Sequence, residues 1–369
     1  MKILYLGHYR EASGWGQAAR DYILAMDSVG IDVVPRCVYV GNPTAQLPNR
    51  IIELEKKSSK NCDICIQHVL PQLMVYNGNF KKNIALFASE TDTLIPSNWA
   101  QYINMMDEAW VINSIMAYEY QTELNIPIHV VPHACDVNKY KKNHKPLDIP
   151  ELDGNFVFYF IGELNRRKNL AALVRAFHVE FHNTEPVSLL IKVGCPGLSQ
   201  EQIVQNVVDM CTTTKKHLKL YPSVDMYKDE IILPVKLSED EMGSLHKTGH
   251  CFVMPSHGEA WCIPAMDALG YGNPVISTYG TGMDDFVVDG ENGFIAESSL
   301  EPCFGMSDTF TWLNTGWENW RSVNIESLKK NMRKCYEELD KKIKQHAAET
   351  PNKFSYEVVG NRIKELLSV

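Results

Sequence analysis

The chain has 369 residues, enough for two α/β domains of ordinary size and too many for one small core. Its hydrophobic fraction of 45% and charged fraction of 22% are those of a soluble globular protein. With 36 Lys+Arg against 45 Asp+Glu the formal net charge is −9, which excludes bulk attraction to nucleic acid or an anionic membrane and leaves room only for a local basic groove. The first apolar run, MKILYLG, is too brief and too poorly flanked for a signal peptide, and no later run reaches the length of a membrane span. The expectation is a cytoplasmic, soluble protein. Ten cysteines are spread singly, several inside apolar runs, as buried free thiols in a reducing compartment are. Cys62 and Cys65, with His68 after them, lack a second ligand pair at zinc-finger spacing and read as strand residues.

Short apolar strands alternate with helical patterns, the signature of parallel sheets with crossover helices. KILYLG opens the series, and ARDYILAMDSVG follows at helical spacing and stops at Gly30. IDVVPRCVYV, CDICIQH, KNIALFAS, EAWVINS and IHVVPH are further strands. Residues 141–155 are polar, aperiodic and carry two prolines, which predicts a linker. A second series starts at FVFYFIG and runs through NLAALVRAFHVEF, VSLLIKVG, a helix near 200–212, EIILPV, SEDEMGSLHKTG, HCFVMP, PAMDALGYG and PVIST. The predicted division is 1–150 and 151–351, with an amphipathic terminal helix within 352–369 packing back on the first domain. The tail from Leu300 onward reads as mostly helical, and TWLNTGWENWRSV reads as a hydrophobic clamp under an insertion.

Three segments can carry chemistry. SGWGQAAR places Gly14 and Gly16 between a strand and a helix, where backbone can approach a phosphate; glycines of an ordinary surface loop are the other reading. A dinucleotide fingerprint is disfavoured, because the preceding loop is long and the second strand lacks an acidic residue for an adenosine ribose. IGELNRRKNL sets Arg166, Arg167 and Lys168 before a helix, at the strand edge where open α/β sheets bind ligands. Cations at a helix start oppose its dipole, so a bound anion accounts for them better than a solvated cluster. In MPSHGEAWCIPAMDALGYGNPVIST, Glu259 sits in a loop and Asp267 follows in the helix that Pro264 begins. Both carboxylates can accept from vicinal hydroxyls of a sugar, and Asp267 can equally complement the helix start.

Together, FIGELNRRKNLAALVRAF, HGEAWCIPAMDALGYGNPVI and DDFVVDGENGFI resemble retaining family-4 glycosyltransferases of the GT-B architecture. VVPHACDVNKY resembles that family's end-of-domain signature, with Asp136 at its acidic position. The resemblance covers nearly the whole chain. It implies two Rossmann-like α/β domains with parallel sheets facing across a cleft, and metal-independent transfer of a hexose with retention. No cofactor is implied; the donor is a nucleotide-diphosphate sugar, UDP-sugar by family habit, and the acceptor a glycan, lipid or small molecule.

By position, the resemblance implies that Lys168 and Arg167 hold the diphosphate, with Arg166 or Arg167 substituting for the arginine that the family often has after Gly162, where this chain has Glu163. Glu259 then lies at the transferred sugar, Trp261, Cys262 and Ile263 offer backbone N–H groups, and Asp267, a glutamate in the family, holds the ribose. Gly14 and Gly16 let the first domain's loop approach the phosphates, and Glu90 is the polar residue on the acceptor side. Ala260 and Cys262 replace common glycines. An NAD-linked enzyme, a non-catalytic nucleotide-sugar-binding protein and transfer to a modified nucleic-acid base are the rival readings, the last disfavoured by the acidic charge.

Overall fold

The computed structural model describes residues 1–39, 41, 44–304 and 315–368, and divides into two compact units. The first holds Met1–Val137, the described residues 315–319 and the chain from Pro351; the second holds most of the rest. In the first unit, β1 (Lys2–Gly7), α1 (Gly14–Ser28), β2 (Asp32–Cys37), α2 (Asn49–Glu55), β3 (Ile64–His68), β4 (Lys82–Phe87), α3 (Trp99–Ile103), β5 (Glu108–Val111), α4 (Ser114–Glu119) and β6 (Ile128–Val130) follow in order. The strands form one parallel sheet in the order β2-β1-β3-β4-β5-β6. Helices cover both faces, so β3 and β4 are apolar and buried almost throughout instead of alternating. Cys62 and Cys65 are buried free thiols.

The second unit begins with β7 (Phe156–Glu163), α5 (Leu170–Glu180), β8 (Val187–Gly194), α6 (Gln200–Leu218) and β9 (Glu230–Leu233). It continues with α7 (Glu239–Thr248), β10 (Cys251–Met254), α8 (Ile263–Gly270), β11 (Val275–Thr278) and β12 (Gly293–Ala296). These six strands are also parallel, in the order β12-β11-β10-β7-β8-β9. The chain therefore winds outward one way from β7 and returns to β10 on its other side. The β7–β10 seam is the topological switch point, outside whose carboxyl end an open α/β sheet binds ligands.

The region after Leu300 is not wholly helical. Ser298–Pro302 (β13) pairs with Asn319–Val323 (β14) in a separate two-stranded ribbon before α9 (Ile325–Glu338), α10 (Lys341–Glu349) and α11 (Tyr356–Leu367). The Trp-rich run lacks the strict alternation by which a strand is recognised. Its first four residues lie outside the described ones; of the rest, Trp320 is buried and Trp317 exposed. Helix α9 is fastened to α5 by Arg333, which meets Glu180 at 2.8 Å and Glu185 at 2.6 Å and lies over the Phe181 ring. Within the first unit, α11 packs on α1, burying Val359, Ile363 and Leu367.

Candidate active site

The loops that leave the switch-point strands carry the basic and acidic candidates. After β7, Asn165 Oδ1 accepts the Lys168 amide at 3.1 Å and Asn169 turns the chain into α5 with φ 53°. Asn169 also donates its side-chain amide to the Pro255 carbonyl at 3.1 Å, which joins this turn to the loop after β10. That second loop is pinned carbonyl by carbonyl. The His257 amide donates to the Arg167 carbonyl (2.7 Å), and Arg167 Nη1 donates to the Gly258 carbonyl (2.6 Å). The Gly282 amide donates to the Glu259 carbonyl (2.7 Å).

These bonds bring the side chains together. Glu259 Oε1 lies 2.6 Å from Lys168 Nζ and 3.3 Å from Arg167 Nη1. The Glu259 side chain is 5% exposed, against 14% for Lys168 and 20% for Arg167, so the carboxylate is the buried end of the cluster and the cations its outward edge. Burial pushes the carboxyl's pKa up, but the two adjacent cations outweigh it and hold it below the ordinary carboxylate range. The site thus keeps a buried anion charged by means of cations that still reach solvent.

The helix after Glu259 adds backbone donors. Cys262 caps α8 with φ 74° and makes no side-chain capping bond. Among the described residues the Cys262 and Ile263 amides donate to no protein acceptor. A helix start with free N–H groups favours an anion. A left-handed conformation suits glycine, the residue common here in the resembled family, and costs a cysteine about 1 kcal/mol. Burial raises the Cys262 thiol to about 12, with the Glu259 carboxylate adding to the rise, so it stays a neutral packing group. Trp261 is buried against Phe286, with ring centroids 4.9 Å apart.

Asp267 belongs to a different group of partners. Its Oδ1 accepts from Tyr140 Oη at 2.8 Å and meets Lys139 Nζ at 2.6 Å, while no partner is recorded for Oδ2 among the described residues. Arg166 lies with its guanidinium carbon 6.0 Å from the Trp320 ring centroid, apart from the Glu259 pair. Gly162 is the penultimate residue of β7, and a Cβ there would fall 2.6 Å from the Phe160 ring.

The remaining candidates lie in the first unit. Gly14 and Gly16 form the first turn of α1, capped by Ser13 Oγ, and do not form an extended loop. A Cβ on Gly16 would stand 2.0 Å from the Glu11 carbonyl, so the protein's own loop already requires that glycine; a Cβ on Gly14 would meet nothing within 4 Å among the described residues. Glu90 is half-buried three residues beyond β4, beside Thr91, whose carbonyl accepts from Tyr120 Oη at 2.5 Å.

Sequence reasoning overlooked the support behind the acidic loop. Trp320 of β14 stacks on His257 at 4.6 Å and 13°, and Arg321 exchanges two bonds with it: its amide donates to the His257 carbonyl (2.7 Å), and its carbonyl accepts from His257 Nδ1 (2.6 Å). The unusual density of tryptophans in 311–323 was the available signal. Asp284 was missed too. Its Oδ2 accepts the Gly280 amide at 2.8 Å, and burial raises its carboxyl to about 6.

Residues 141–302 match the family model described as Glycosyl transferases group 1. The match lies within the second unit and makes this part of the chain similar to that family. The domain's two charged loops, at Arg167–Lys168 and Glu259, both fall inside the matched stretch. The capsular polysaccharide biosynthesis glycosyltransferase CapM of Staphylococcus aureus is 28% identical over 162 residues, 44% of this chain and 37% of that relative. The matched stretch thus spans well under half of the curated relative. Among solved structures, Anabaena HepE in complex with UDP and glucose superposes with a TM-score of 0.69 at 14% identity, covering 100% of this chain and 99% of that one. Sucrose-phosphate synthase from Thermosynechococcus elongatus does so with a TM-score of 0.67 at 13% identity, covering 100% and 98%. Identities this low speak to the fold, which is GT-B.

Proposed function

We propose that this protein is a retaining glycosyltransferase that moves a hexose from a nucleotide-diphosphate sugar to a glycan, lipid or small-molecule acceptor. The observation that carries the reading is the Lys168–Glu259–Arg167 cluster at the switch point of the second sheet. Cleaving the donor's anomeric bond leaves negative charge on the diphosphate. Lys168, Arg167 and the free amides at the start of α8 are fixed before the reaction, so they can meet that charge without reorganising. Glu259 holds the two cations in place and presents a carboxylate to sugar hydroxyls, while Asp267 Oδ2 can accept from the nucleotide ribose. Side chains and helix ends can supply the positive charge, so the reading needs no metal. The solved HepE complexes with UDP, with UDP and glucose, and with UDP-glucose support a UDP-sugar as donor.

Thermal-shift titration with UDP-, GDP- and ADP-sugars is the direct test, since a ligand bound only by the folded chain raises its melting temperature. A donor that shifts the wild type then permits an acceptor screen. Lys168→Ala and Glu259→Ala are each expected to lower turnover at least about 100-fold, the scale of losing one preorganised charge-stabilising group, with the fold retained by circular dichroism. Wild-type turnover in either folded variant would overturn the assignment.

A further inference from the structure

Lys192 lies on β8 in an otherwise apolar run and is half-buried near that strand's carboxyl end. Among the described residues it has no hydrogen-bond or ion-pair partner. Strand register fixes its surroundings: Ile161 of β7 lies opposite on one side and Leu233 of β9 on the other. Strand alternation puts Lys192 on the face that carries Tyr159, whose hydroxyl meets His246 of α7 at 2.8 Å and Asn273, just after α8, at 3.0 Å. The opposite face carries Glu230, which His178 and Lys215 neutralise. Burial without a counter-charge lowers its pKa from the ordinary lysine value.

A partly desolvated ammonium with no protein acceptor gains from a ligand atom that can accept from it in place of water. In a doubly wound sheet the residue at the carboxyl end of the second strand faces the nucleoside portion of a ligand whose phosphates lie at the first strand. In this unit β7 is first and β8 second, and Arg167 and Lys168 already occupy the phosphate end. We propose that Lys192 is a specificity-determining residue that donates to a carbonyl oxygen of the donor's nucleobase, and so selects uracil or guanine over adenine. An ammonium has donors and no acceptor. At the ring position where uracil or guanine presents a keto oxygen it can therefore pair, whereas adenine presents an amino donor at that position and keeps only its ring nitrogens as acceptors. The inference rests on the donor reading above.

The test is binding of UDP, GDP and ADP to the full chain by isothermal titration calorimetry, in the wild type and in Lys192→Met, which keeps the length of the stem without the charge. The wild type should bind UDP or GDP more tightly than ADP. The substitution should weaken the preferred nucleotide at least about tenfold, the scale of one charge-assisted hydrogen bond, and leave ADP within about twofold. An equal loss for all three would place Lys192 at the phosphates or in the fold and overturn the proposal, as would no loss for any. Failure of the wild type to bind any of the three would instead overturn the donor reading on which it rests. Circular dichroism melts show whether Lys192→Met is folded, and Lys192→Arg, which retains donors, should keep the preference.

Discussion

Asp284 sits in the turn after β11, two residues beyond Gly282, whose amide holds the Glu259 carbonyl. One oxygen caps the Gly280 amide, while among the described residues the buried Oδ1 has no hydrogen-bond partner. Burial, with help from Asp285 and against Arg321, moves its carboxyl from 3.8 to about 6. Because the folded value lies above the unfolded one, the folded chain holds this proton more tightly. The neutral form is therefore favourable below about pH 4, and that contribution is lost as pH rises to about 6. A rise of that size corresponds to about 3 kcal/mol as an upper limit, and solvent screening of a partly exposed group reduces it to about 1–2 kcal/mol. Asp284→Asn keeps the acceptor for Gly280 and removes the charge. It should melt above the wild type at pH 8, with the gap closing at pH 4.5. Melting curves that differ by a constant amount across that range would rule out titration of Asp284 as the cause. Glu259 has the opposite sign: its depressed pKa contributes stability above the ordinary carboxylate range, lost as pH falls through the folded value.

Among elements, the ribbon of β13 and β14 decides how firmly the acidic loop is held. The His257–Trp320 stack and the two bonds between His257 and Arg321 join that loop to the ribbon, and the His257 amide joins it to the Arg167 turn. Losing either ring should loosen both charged loops at once. Trp320→Ala and His257→Ala are each expected to raise the donor KM and lower kcat, with Trp320→Phe recovering most of the loss. Because both remove one stack, the double variant should fall short of additivity by about 1 kcal/mol in kcat/KM. Additive losses would mean that the two residues act separately. This ribbon was the least legible part of the sequence. The strands of both sheets other than β12 could be read from their apolar runs, and so could the charged segments beside Glu163 and Met254, because periodicity and punctuation are local properties. Strand order is not local. Nothing in VSLLIKVG or HCFVMP shows that β7 lies between β8 and β10, so the convergence of Lys168 on Glu259 was legible only through the family resemblance. Lys192 was hidden inside a strand for the same reason. The split of Asp267 from Glu259 depends on Lys139 and Tyr140, residues distant in sequence that no spacing rule connects to it.

At the scale of the whole chain, the first unit's core is completed only by the last helix. Met1–Val137 leaves the outward side of α1 to be covered by α11, which follows two hundred residues of the second unit's chain. The two helices approach closely: a Cβ on Gly360 would stand 2.3 Å from the Ala25 carbonyl. The Tyr356 hydroxyl donates to Asp21 at 2.6 Å, and the Cys135 amide donates to the Phe354 carbonyl at 2.8 Å, so the segment is fixed at its beginning as well as along its face. A side chain at Gly360 must therefore push α11 away from rigid backbone, and cannot be accommodated by a rotamer change. Gly360→Val should cost the first unit about 2–3 kcal/mol, the scale of an overpacked contact. Lys168, Arg167, Glu259, Asp267 and Lys192 all belong to the second unit, so a nucleoside diphosphate should still protect that unit in the variant. The expected calorimetric trace has an early transition insensitive to UDP and a later one that UDP raises. A single transition displaced downward as a whole, and shifted uniformly by UDP, would show instead that the two units unfold as one cooperative body and that the site's stability depends on α11.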